Sequence, residues 1–357
     1  MTRSIFIILF LSTIFIACKK NNSDKNTFVL QKPGVFISNE GNFTYGNASL
    51  SYIDFTADTI YNYIFKKSTT YPLGDVAQSM SLINGKLYIV INNSGKIYII
   101  NPNNANYIGK INKLTSPRYI IPIDSTKAYV SDLYSKSVSI INLKNNKITG
   151  NININAPSEQ MLAYSNYIFV VCWNKSHKLV KINKQTNQVA DSINITYQPN
   201  SLVIDKYNRL WVLSDGGLDP DTNKDQKPAL TCINPDNMQI IKKFEFASKS
   251  ASPTHLCINY KKDTLFFLNS SWSNTSNIVN AGVFRMSVDA KNLPAQAFIP
   301  EKKELFYSLA VNNNSQIFVS DAIDYVQPGI ILKYSSNGNL IKKYQAAIIP
   351  GNFLFVK

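Results

Sequence analysis

One short strand pattern recurs seven times along this chain, and the recurrence leaves few ways for it to fold. The clearest copy lies between Asp75 and Leu114. An apolar run, Leu87-Tyr88-Ile89-Val90-Ile91, is followed by Asn92-Asn93-Ser94-Gly95 and a second run, Ile97-Tyr98-Ile99-Ile100. Asn101-Pro102-Asn103-Asn104 breaks that run, and Tyr107-Ile108-Gly109-Lys110-Ile111 follows. β-Branched and aromatic runs bounded by Asn, Gly and Pro are strand and turn signals. With Ser79-Met80-Ser81-Leu82 in front, the unit reads as four antiparallel strands.

The second strand returns as Val35-Phe36-Ile37, Leu87-Tyr88-Ile89, Ala128-Tyr129-Val130, Ile168-Phe169-Val170, Leu210-Trp211-Val212, Leu265-Phe266-Phe267 and Ile317-Phe318-Val319. An Ile followed by Asn or Asp closes the third strand at Ile53-Asp54, Ile100-Asn101, Ile141-Asn142, Ile182-Asn183 and Ile233-Asn234. Steps from Leu87 to Ala128, Ile168 and Leu210 are 41, 40 and 42 residues, close to the roughly 40–45 of a four-stranded propeller blade. The next two steps, 55 and 52, carry polar insertions. A lone four-stranded sheet cannot bury both faces, so the copies must stack radially. The expected fold is all-β, a seven-bladed β-propeller over 34–357. Its first copy has strands at Val35–Ser38, Ser49–Ile53 and Ile60–Phe65 but lacks an innermost one. The last seven residues, Gly351–Lys357, form a strand without a blade, and pairing it into the first copy closes the ring.

The chain has 357 residues, 45% of them hydrophobic, enough for a packed core. Only 17% are charged, and the net charge is +15. Lysines are scattered singly or in pairs, a pattern of a solvated basic surface more than of a polyanion site. No nucleic-acid partner is expected. Arg3 and the apolar Ile5–Phe15 read as the start of a signal peptide over residues 1–17, too short to span a bilayer. Phe15-Ile16-Ala17-Cys18 resembles a bacterial lipoprotein cleavage box, so Cys18 is the expected lipidation site. Residues 18–33 then form the anchor and a flexible tether. The expected location is the outer membrane, lipid-anchored and surface-exposed. Cys172, Cys232 and Cys257 sit in or beside apolar strands of different copies and read as buried free thiols.

A Pro stands shortly before several first strands, as in Pro117-Arg118, Pro157-Ser158-Glu159, Pro199-Asn200, Pro253-Thr254-His255 and Pro350-Gly351-Asn352. Linkers between blades and loops after second strands open on one end of a propeller. From the linkers that end gathers Arg118, Glu159, Gln160, Asn200, His255 and Tyr307 as candidate ligand contacts. From the loops come Asn42, Phe43, Asn92, Asn93, Tyr134, Trp173, Asp215, Trp272, Asp321 and Tyr325. Asn39, Glu40, Asp75, Gln78, Tyr119, Asp132, Asn174 and Asp324 fall at the same end. Amides, aromatics and few charges suit a large polar ligand with flat faces, although such Asn, Asp and Ser side chains also satisfy their own turns.

Catalytic motifs are scarce. The chain has two histidines, His177 and His255, in different blades, which argues against a histidine-built metal site. No P-loop, Gly-x-Ser-x-Gly or His-Glu-x-x-His occurs. The chain is therefore read as a binding protein, not an enzyme, with no cofactor. Asp219, Asp221, Asn223 and Asp225 alternate as in calcium loops, but Lys224 stands where Gly is needed and Leu230 where Glu is. They are a weak calcium candidate.

Several phrases carry a family resemblance: Val35-Phe36-Ile37-Ser38-Asn39-Glu40-Gly41-Asn42-Phe43, Gly74-Asp75-Val76-Ala77-Gln78-Ser79-Met80, Ser116-Pro117-Arg118-Tyr119-Ile120, Pro199-Asn200-Ser201-Leu202 and Pro350-Gly351-Asn352-Phe353. Over the whole mature chain the sequence resembles the YncE-like propeller lipoproteins of Bacteroidetes, which include the BtuG-type cobalamin-binding surface lipoproteins. That resemblance implies a seven-bladed binder of cobalamin or a related corrinoid that delivers it to a TonB-dependent outer-membrane transporter. The alternatives are another transported ligand (siderophore, haem or glycan), a polymer-binding propeller, or a propeller lyase or lactonase. If Cys18 carries the anchor, Cys18→Ser moves the protein from the membrane fraction to the soluble one. Unchanged fractionation contradicts the anchor.

Overall fold

The computed structural model describes residues 29–69, 71–217, 226–270 and 280–357. Seven antiparallel four-stranded sheets make up the fold. Their innermost strands are Pro350–Val356, Ala77–Ile83, Pro117–Pro122, Met161–Tyr164, Pro199–Ile204, Pro253–Ile258 and Phe306–Val311, for blades one to seven in that order. Neighbouring innermost strands touch each other around the whole ring. The fold is the seven-bladed propeller that the repeat predicts.

The second strands explain why the blades must stack. In Lys86–Ile91 the side chains of Leu87, Ile89 and Ile91 pack with Phe36, Leu50 and Tyr52 of the first blade. Tyr88 and Val90 point the other way, against Ile120, Ala128 and Val130 of the third. Successive strand residues face opposite sides, so a continuous apolar run has both faces covered only between two neighbours. The pattern repeats between every adjacent pair of blades. Outermost strands have no such duty. Gln188–Asn194 is polar and almost wholly exposed.

The Ile-Asn signature closes the hairpin between third and fourth strands. The side-chain oxygen of Asn142 accepts from the backbone of Lys144 and Asn145, and that of Asn183 from Gln185 and Thr186. Asp54 does the same for Thr56 and Ala57. Four residues after each, Asp58, Ala105, Asn146, Asn187 and Met238 take a left-handed backbone. These are Asx turns ending in a positive-φ residue, a geometry for which Asn and Asp are suited.

At the opposite end from the linkers, basic side chains tie these turns to the preceding blade. Lys127 Nζ donates to Lys184 O and Asn187 Oδ1, at 2.7 and 2.9 Å. Lys181 Nζ donates to Pro235 O and Asp236 O, and Arg285 to Ser336 O. Part of the positive charge is thus spent on backbone carbonyls between blades.

One expected strand is cut short. The fourth strand of the first blade is Thr59–Tyr61, and Ile64–Ser68 is a single helical turn in place of the strand expected to reach Phe65. Tyr63 turns the chain with φ 58°. Ile64 and Phe65, adjacent in sequence, are both buried in the same cluster. A strand would send one of the two outward.

Closure is as expected. Pro350–Val356 pairs antiparallel with Gly34–Asn39, Val35 facing Phe355 and Ile37 facing Phe353. Phe353 and Phe355 pack toward the seventh blade, Leu354 and Val356 toward the second. Deleting Gly351–Lys357 uncovers two interblade faces at once. The expected loss of unfolding free energy is on the order of 5 kcal/mol or more, with a broadened thermal transition. A melt unchanged by the deletion contradicts closure as the source of cooperativity.

Candidate functional site

The linker end is built by a bulge repeated in six of the seven blades. Ala77 pairs with Ile91 and Ser79 with Val90, leaving Gln78 as an extra residue. Asn200 is extra between Pro199 and Ser201, Tyr307 between Phe306 and Ser308, and Gly351 between Pro350 and Asn352. In the third and sixth blades two residues, Arg118-Tyr119 and His255-Leu256, oppose one. A bulge breaks the two-residue alternation and re-aims a side chain. Here it turns Gln78, Arg118, Asn200, His255 and Tyr307 into one cavity of about 700 Å³, within the size range of small-molecule sites. In blades one, three, five and six the Pro that opens the first strand is the sequence trace of this device, since it marks where pairing begins.

Blade one departs from the pattern. Its bulged residue is Gly351, and a Cβ there would stand 2.5 Å from Glu40 Oε1. The missing side chain makes room for Glu40, which reaches in from the next loop. Tyr307 donates its hydroxyl to Glu40 Oε2 at 2.9 Å.

The charges on the cavity wall are paired within it. Arg118 Nε lies 2.7 Å from Glu159 Oε2, and Nη1 donates to Gln78 Oε1 at 2.6 Å. Burial alone would lower the Arg118 pKa, but the carboxylate of Glu159 more than reverses that. Burial pushes Glu40 up to about 7, against the pull of the Tyr307 hydrogen bond and of Arg118. Asp215 is pushed up to about 6 by burial, although Trp173 Nε1 donates to its Oδ2 at 2.7 Å. Burial drives His255 down to about 4, so its ring is neutral.

Most of these contacts cross from one blade to the next. Arg118 joins blades two, three and four, and Trp173 with Asp215 joins four and five. Gln160 accepts from Leu202 N, and Asn200 donates to Pro253 O. The His255 and Tyr307 rings lie 6.4 Å apart, and Tyr307 meets Tyr325 edge-on at 5.8 Å. Phe43 and Tyr134, 66% and 65% exposed, form free aromatic faces at the rim.

Of the sequence-predicted contacts, Phe43, Asn92, Arg118, Tyr134, Glu159, Gln160, Trp173, Asn200, Asp215, His255, Tyr307 and Tyr325 line the cavity. Asn42, Asn93 and Asp321 do not. Asn42 donates to Tyr325 O and Asn93 to Asp75, while Asp321 accepts from the backbone of Leu305 and Ile323. They hold the loops that carry the site. Trp272, Cys18 and the run Asp219, Asp221, Asn223 and Asp225 lie outside the described residues. Glu40, Gln78 and Tyr119, placed at this end but not marked as contacts, also line the cavity, as do Thr254, Cys257, Asn352 and Phe353. The position just after Pro350 signals the last two, because the closing strand is an innermost strand like the others. Cys172 and Cys232 are buried free thiols, and Cys257 is free and half-buried. Burial pushes Cys257 up to about 12, which leaves it a protonated, unreactive wall group.

The shift at Glu40 has a definite sign. Its folded pKa of about 7 lies above the ordinary 4.5. Between those values the folded protein holds a proton that the unfolded chain has released. Glu40 therefore costs stability progressively as pH rises from 4.5 to 7, and the cost is constant above. Glu40→Gln keeps an acceptor for Tyr307 and removes that cost. Its stability relative to the wild type is expected to rise by roughly 1–3 kcal/mol between pH 5 and pH 8, measured by denaturant unfolding. A pH-independent difference contradicts the burial of this carboxyl.

The fold is shared with several solved structures. A quinonprotein alcohol dehydrogenase-like protein of Bacteroides thetaiotaomicron is 13% identical, with a TM-score of 0.69 over 92% of this chain and 79% of that one. A Lactobacillus plantarum protein is 11% identical, with a TM-score of 0.66 over 92% and 100%. The hydrazine synthase of Kuenenia stuttgartiensis is 12% identical, with a TM-score of 0.59 over 77% and 87%. At these identities the likeness is one of fold alone. No curated protein matches the sequence. Residues 33–354 match the domain of unknown function DUF5074, and the chain belongs to that family.

Proposed function

We propose that this propeller is a ligand-capture protein whose linker-end cavity takes cobalamin or a related corrinoid. In this reading a lipid at Cys18 anchors it to the outer membrane, and the ligand passes to a TonB-dependent transporter. The observation that carries the reading is the repeated bulge, which aims amide, phenol and imidazole groups from separate blades into one cavity. A corrinoid is flat, broad and fringed with amides. The Gln160 amide nitrogen and the Asn352 amide offer it hydrogen-bonding groups, and Trp173, Tyr325, Phe43 and Tyr134 offer flat apolar faces.

Two further points favour a neutral or zwitterionic ligand over a polyanion. Arg118, the one arginine on the wall among the described residues, is committed to Glu159 and Gln78. The other ionisable groups there, among the described residues, are carboxyls, phenols, a thiol and a neutral imidazole. A corrinoid exceeds a cavity of about 700 Å³, so part of it stands in the mouth, where the exposed rings of Phe43 and Tyr134 lie. The phrase-level resemblance to the YncE-like propeller lipoproteins, a group that includes cobalamin binders, points the same way.

Titration calorimetry with cyanocobalamin is expected to give a Kd of about 1 μM or tighter. Trp173→Ala and Tyr325→Ala should each weaken it about tenfold or more, as loss of a buried aromatic contact does. Heat from a ferric siderophore, haemin or an oligosaccharide, with none from cobalamin or cobinamide, would move the site to that ligand class.

A further inference from the structure

His255 occupies an unusual place in the sixth blade. The innermost strand Pro253–Ile258 pairs Thr254 with Leu268 and Cys257 with Phe266, so His255 and Leu256 share one partner position. Leu256 drops into the core, 3% exposed. His255 takes the left-handed backbone, φ 54°, and its ring lines the cavity. That conformation is uncommon for residues other than Gly, though His adopts it more readily than most.

The ring is held at one nitrogen and open at the other. Nδ1 lies 3.1 Å from Thr254 Oγ1. Nε2 has no hydrogen-bond partner among the described residues and is not one of the polar atoms sealed from solvent. It therefore faces the cavity with its second nitrogen uncommitted. A proton-relay role lacks a partner, because the nearest phenol, Tyr307, already donates to Glu40. A resident metal lacks ligands, because the described residues contain no group of three His, Cys, Asp or Glu able to hold one. What remains is a single imidazole lone pair offered to whatever enters.

We propose that His255 Nε2 makes an axial bond to the metal of a bound planar tetrapyrrole, cobalt in a corrin or iron in a porphyrin. The proposal rests on the reading of the cavity as a tetrapyrrole site, and names the atom that selects for it. The Thr254 hydroxyl can pair with either tautomer of the ring; with the proton on Nδ1 and donated to Oγ1 the Nε2 pair is free, and binding to the metal selects that tautomer. The bond forms when that pair displaces a water from the metal. The water leaves intact, no proton moves, and the metal keeps its oxidation state.

The mature protein is titrated with aquocobalamin, cyanocobalamin and haemin, followed by absorption spectra and calorimetry. The variants are His255→Gly and His255→Asn, residues that accept a left-handed backbone and should fold; a thermal melt checks this. Wild type should shift the visible bands of aquocobalamin as added imidazole does. Both variants should lose the shift and bind aquocobalamin about tenfold or more weakly. Cyanocobalamin, whose axial sites are filled, should bind wild type and variants alike. A wild-type complex with unshifted bands, or a shift that survives in both variants, overturns the axial bond and leaves the corrinoid reading standing. A His255-dependent shift with haemin and no corrinoid binding upholds the bond and overturns the corrinoid reading. Binding of neither metal ring overturns both.

Discussion

A strand with apolar side chains on both faces needs two partners, and this molecule is arranged to supply them. Leu87, Ile89 and Ile91 face one blade while Tyr88 and Val90 face the other. An open stack would leave one such face uncovered at each end. Closing the ring removes both ends, and the closing strand does so with its own alternation, Phe353 and Phe355 to one side, Leu354 and Val356 to the other. Every interface in the ring therefore depends on a pairing between residues more than three hundred positions apart. Such a contact carries a large loop-closure cost and is rewarded only once the intervening blades are in place.

The same ring gives the site its rigidity. Each bulged residue hangs from an innermost strand, and innermost strands are fixed by neighbours on both sides. The polar contacts at the cavity then cross the seams: Arg118 to Gln78 and Glu159, Trp173 to Asp215, Asn200 to Pro253, Tyr307 to Glu40. A side chain tied across a seam loses its freedom during folding, not during binding. Preorganised groups of this kind bind with less entropic loss.

The repeat was legible because its signals are local. The apolar runs, the Asn or Asp after the third strand and the orphan strand at the end all follow from chemistry within a few residues. The end of the propeller that carries the cavity was legible too, since loop order fixes it. What local pattern could not give was register. Asn92 and Asn93 are neighbours in one turn, yet Asn92 lines the cavity while Asn93 donates to Asp75. The turn decides that choice, as the bulge does on the first strands, and neither changes composition. Asp321 reads like a ligand group and is spent on backbone amides instead. The helical turn Ile64–Ser68 escaped for a related reason. Tyr, Ile and Phe favour strands by propensity, but burying Ile64 and Phe65 together needs a turn of helix.

The distribution of charge follows from the same division of ends. Away from the cavity, Lys127, Lys181 and Arg285 extend from one blade to the turn carbonyls of the next. These are charge-assisted bonds to backbone oxygens that would otherwise be left in the seams. The cations there are structural, and a chain of +15 need not be a polyanion binder. At the cavity end the pattern inverts. Arg118 is neutralised in place, and burial keeps His255 uncharged and raises the carboxyls of Glu40 and Asp215. A wall of paired or neutral polar groups discriminates by shape and hydrogen-bond pattern, because a wrong ligand leaves buried donors and acceptors unmatched. On the proposed reading, the cost of that mismatch, more than any net attraction, is what lets a basic protein hold a neutral ligand selectively.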